Sequence, residues 1–72
     1  MKKFVFNEKI SNEENLINFF VVNAKRLHTS EDRINYVQEN FENLLYEFVF
    51  ETFKTICINS KEKFMQKVVS QL

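Results

Sequence analysis

The sequence predicts an all-α fold: a small three-helix domain, built as a helical hairpin with a long central helix plus a short C-terminal helix, and preceded by a short extended arm. Three observations lead there. The 72 residues include no glycine and no proline, the residues on which sheets and hairpins rely for their turns. Apolar residues recur every three or four positions along most of the chain, the period of a helix with one buried side. Hydrophobic residues make up 44% of the chain, with nine phenylalanines, more apolar surface than a disordered polar segment carries.

Residues 1–10 lack the helical period. Phe4, Phe6 and Ile10 fall on one side of an extended chain, which predicts an arm that either packs on the helices or pairs with a second molecule. The first helix is expected over residues 12–28. Ser11 stands three residues before Glu14, the spacing of a capping box, and Glu13 and Glu14 suit the positive end of the helix dipole. Leu16, Ile17, Phe20, Ala24 and Leu27 form its main apolar face, and Lys25 and Arg26 fall in its last turn.

The second helix is expected over residues 31–57, with Thr29 or Ser30 as its cap and Glu31 and Asp32 in its first turn. Ile34, Val37, Phe41, Leu45 and Phe48 make its main stripe, which continues through Thr52 and Ile56. At about 1.5 Å per residue such a helix would be roughly 40 Å long. Asn59 and Ser60 offer a cap for a third helix over residues 60–71, with Phe64, Val68 and Leu72 on its apolar face. The joint before it is weakly marked. The second and third helices could form one rod, and Thr55–Ile58 also favours an extended stretch.

A domain of this size buries only about 60% of the surface its unfolded chain exposes, and small domains commonly add a disulfide, a metal or a second subunit. Cys57 is the only cysteine, so an internal disulfide is excluded and a reducing, cytoplasmic setting is expected. Asn7, Glu8 and Lys9 interrupt the apolar run after Lys2 and Lys3 too early for a signal peptide, and Phe19–Val22 is too short to span a bilayer. The wealth of Asn, Lys, Ile and Phe suggests an A/T-rich coding sequence, as in low-GC bacteria and their phages and plasmids.

Enzymatic chemistry finds little footing. His28 lies three and four residues before Glu31 and Asp32, but a metal site draws three or four ligands from several elements. Glu39 with Glu42, and Glu47 with Glu51, sit one turn apart without a companion nucleophile or histidine, and read as a solvated acidic face. Cys57 lies one turn after Lys54 but falls on an aromatic stripe, where a free cysteine is an ordinary small hydrophobe. No catalytic residue, metal or cofactor is expected. The formal net charge of zero gives no overall attraction to nucleic acid. Lys61, Lys63 and Lys67 cluster on the third helix, and they carry the alternative reading of a nucleic-acid-binding homodimer.

The informative feature is a second apolar stripe. Tyr46, Phe50, Phe53 and Cys57 lie about 140° around the second helix from its main face, and Phe19 and Val22 are displaced in the same way on the first. Monomers rarely expose several large aromatics together, and aromatics are enriched in interface cores. These six residues are therefore the expected partner-binding set. The function they imply is non-enzymatic: a helical protein–protein interaction module, an inhibitor or adaptor of a bacterial protein, binding another protein or a second copy of itself as a homodimer.

Overall fold

The computed structural model describes residues 4–52, 58 and 60–72. Among them are four helices and no strand: α1 (Asn12–Ala24), α2 (Ser30–Glu39), α3 (Phe41–Thr52) and α4 (Lys61–Val69). The all-α class is as the composition predicts. The long central helix is not a single element, and this is the main correction to the three-helix expectation. Its far end, with Phe53, Ile56 and Cys57, lies outside the described residues.

The helix starts follow local chemistry. Ser11 is extended, and its Oγ accepts a hydrogen bond from the Glu14 N–H at 3.1 Å, satisfying one of the first-turn donors that have no partner within the helix. Thr29 does the same for α2, its Oγ1 accepting from Asp32 N at 3.1 Å. α1 ends at Ala24, before the expected residue 28, because the chain tightens. Arg26 N donates to Asn23 O and Leu27 N to Ala24 O, both three residues back. Arg33 of α2 reaches across the joint, and its Nε donates to Leu27 O at 2.8 Å.

The central helix breaks at Asn40, whose backbone sits at φ −110° and ψ 18°. Its Nδ2 donates to the Tyr36 carbonyl at 3.0 Å, the same oxygen that accepts the Asn40 backbone N–H. A short polar side chain that bonds its own backbone in this way competes with regular helix. Leu44 N then donates to Asn40 O and α3 begins. On α3 the buried residues are Phe41, Leu44 and Phe48, while Leu45 is only half-buried.

α1 is the hub, touching α2, α3 and α4. Its successive residues Phe19 and Phe20, about 100° apart on the helix, serve two aromatic clusters. Phe20 meets Phe41 of α3 and Phe64 of α4 edge-to-face, with centroids 5.6 and 5.1 Å away. Phe19 meets Phe48 of α3 at 5.6 Å and Phe4 of the arm at 5.2 Å. Pairs at such spacings contribute about 0.5–1.5 kcal/mol beyond the area they bury. Leu16, Ile17, Val21 and Ala24 of α1, with Val37 and Val68, join these rings in the core, and Lys67 of α4 closes an ion pair with Glu13 of α1 at 2.9 Å on its rim.

The arm packs on the helices. Phe4 and Phe6 both contact Phe48, while Val5 between them faces solvent, the alternation of an extended strand. Asn7 meets Asn15 and Phe4 meets Phe19, so the arm runs antiparallel to α1, and the chain reverses at residues 8–10 between them.

Candidate protein-binding face

α3 presents two opposite faces. Phe48 is fully buried, whereas Tyr46 and Phe50 are 69% and 77% exposed. At about 100° per residue, Phe48 lies some 200° from each of its two neighbours, so anchoring Phe41, Leu44 and Phe48 inside turns Tyr46 and Phe50 outward. These two lie one turn apart, and Val49 borders them. Asn43, Glu42 and Glu47 are the exposed polar residues of this face. The α3 segment FENLLYEFVFET has no lysine or arginine, so among the described residues of α3 the charged neighbours of the aromatic pair are Glu42 and Glu47.

The other expected partner-binding residues are distributed differently. Val22 is half-buried on α1. Phe19 is not at the surface: it is buried between Phe4 and Phe48, so the arm covers this residue of the first helix's surplus stripe. Phe53 and Cys57 lie outside the described residues. The structure thus brings Tyr46 and Phe50 together on one exposed face and removes Phe19 from it.

Compared with known protein families, with curated proteins and with solved structures, the chain gives no match.

Other features have specific occupations. Lys61 places its Nζ 4.7 Å from the Phe41 ring centroid, a cation–π contact, and Lys67 is engaged by Glu13. Two of the three lysines of the last helix are thereby directed to intramolecular partners. A groove of about 420 Å³ runs between α2 and α4, with Gln38, Met65 and Val69 among its walls. Among the described residues, no three His, Cys, Asp or Glu side chains gather as a metal site would need, and no helix is long and apolar enough to cross a membrane.

Asn15 is among the structural residues that the sequence did not single out. Asn15 is fully buried, with its Oδ1 accepting from Asn7 N at 2.8 Å and its Nδ2 donating to Asn7 O at 2.8 Å and to Ser11 O at 3.1 Å. The available signal was its position one turn before Phe19, a polar residue heading an apolar stripe.

Proposed function

We propose that the protein acts by binding another protein through the outward face of α3. The observation that carries this reading is the exposed pair Tyr46 and Phe50, one turn apart on a helix whose opposite face is held in the core. Helical anchors at such spacing suit an apolar groove on a partner, the helix-in-groove mode of recognition. Each aromatic ring can bury roughly 150–250 Å², and a well-seated aromatic anchor contributes about 2 kcal/mol or more to binding.

The charge pattern selects the kind of groove. Glu42 and Glu47 flank the rings, and the described α3 segment has no basic residue, so basic groups on a partner beside these two glutamates would suit this side of the face. Two copies of this face pressed together would instead set glutamates near glutamates, and like charges across an interface are unfavourable. This supports a different protein over a second copy as the occupant of this face. Within that reading the protein is an inhibitor or adaptor of a bacterial protein, acting in the cytoplasm and encoded by a phage or plasmid. Size, the A/T-favouring composition and the single cysteine support those further assignments.

The test compares three tagged chains in bacterial lysate: the natural sequence, Tyr46→Ser with Phe50→Ser, and Val5→Ser as a control at another exposed apolar residue. The expected result is one stoichiometric protein captured by the first and third and absent from the second, with unchanged helical circular dichroism in all. Equal capture by the double variant would overturn the assignment of this face. A nuclease-sensitive partner, released steeply by salt, would point to nucleic acid instead.

A further inference from the structure

We propose that the groove between α1 and α3 is a receptor site for an extended Phe-x-Phe-Asn segment, and that the arm of a second copy can fill it, giving an arm-exchanged dimer. The site lies on the buried side of α3, away from Tyr46 and Phe50, and does not depend on the function proposed for them.

The groove is built for backbone as well as for rings. Asn15 is fully buried, and its amide both accepts from and donates to the backbone of Asn7 at 2.8 Å. It reads an extended chain as a neighbouring strand would. Phe19 and Phe48 form the apolar wall on which Phe4 sits edge-to-face, at 5.2 and 5.7 Å. Lifting the arm exposes these rings to water, which is unfavourable in proportion to the apolar area uncovered, and takes from the Asn15 amide both of its bonds to Asn7. An open chain therefore favours refilling the groove.

The arm of another copy refills it with identical contacts. Exchange keeps the contacts of Phe4, Phe6 and Asn7 with the helices and changes only those of the hinge, the route by which swapped dimers form at small free-energy difference. The hinge is the exposed reversal at Glu8 and Lys9, held by Lys9 N donating to Asn7 Oδ1 at 2.9 Å and Ile10 N to Asn7 O at 3.4 Å. A short tether gives the chain's own arm an effective concentration on the order of millimolar. Exchange in the natural sequence is thus expected when the protein itself reaches that range.

The first measurement uses the unaltered chain, mixing isotope-labelled and unlabelled molecules at millimolar concentration and recording isotope-filtered nuclear Overhauser effects. Intermolecular contacts from the Phe4 ring to Phe19 and Phe48, fading on dilution, are the expected result. Their absence overturns the proposal, and so does a dimer whose intermolecular contacts arise only at Tyr46 and Phe50. The second measurement deletes Glu8 and Lys9, so that the arm can no longer double back on its own α1. A folded dimer with a dissociation constant lowered at least tenfold is expected. A folded monomer contradicts exchange, and if the deletion unfolds the chain, the mixed-label experiment alone decides.

Discussion

Phe48 and Phe50 stand two residues apart on one helix, and alanine in their places should give very different stabilities. Phe48 is fully buried and contacts Phe4, Phe6 and Phe19. Removing such a ring destabilises a protein by about 3–5 kcal/mol, through lost transfer free energy and the cavity left behind. At about 0.05–0.15 kcal/mol per residue, the whole domain has a stability of roughly 4–11 kcal/mol, so Phe48→Ala removes a large share of it. Phe50 is 77% exposed, and substitutions at such positions usually stay within about 0.5 kcal/mol. With a urea dependence of about 1 kcal/mol/M for a small domain, the midpoint should fall by about 3–5 M for Phe48→Ala and by less than about 0.5 M for Phe50→Ala. Urea titration followed by circular dichroism measures both. Equal shifts, or a larger one for Phe50→Ala, would refute the assignment of the two faces of α3.

Asn15→Asp should make stability depend on pH, because the introduced carboxylate is buried and faces the carbonyls of Asn7 and Ser11. Burial and those two carbonyl oxygens outweigh the single N–H that Asn7 donates and raise the carboxylate's folded-state pKa above the unfolded value of about 3.9, so the native state binds more protons. Stability then falls as pH rises above about 4, which thermal melts across pH would show as a decline relative to the natural chain. Thr29→Ala removes the α2 cap bond and should reduce stability by about 1 kcal/mol, read by the same urea titration. Lys67→Ala breaks an ion pair whose lysine is largely exposed, so its effect should stay below about 1 kcal/mol and vanish in high salt.

The parts of the fold set by near neighbours were legible in the sequence. Ser11 and Thr29 cap as their spacing predicts, because a cap bond joins residues three apart and depends on little else. The break at Asn40 was hidden, because the apolar positions Val37, Phe41, Leu45 and Phe48 keep helical spacing straight across it. Periodicity records which residues are apolar and cannot register one asparagine bonding its own preceding turn. The burial of Phe19, one of the expected partner-binding residues, is hidden in the sequence for a related reason. A helical pattern shows that a stripe exists, while its cover, here Phe4 from a segment without helical period, is set by tertiary packing. Tyr46 and Phe50 are exposed in the structure, and their angle from Phe48 follows from helix geometry alone.

The central claim, that the outward face of α3 meets a different protein, is tested most directly by photocrosslinking in living bacteria. A photoreactive phenylalanine analogue is installed in place of Phe50, and in separate strains in place of Tyr46 and Val5. The account predicts one discrete adduct from positions 46 and 50, joined to a protein other than this chain, and none of that mass from position 5. An adduct at twice the 8.7 kDa mass of the chain, or the same pattern from all three positions, would contradict it.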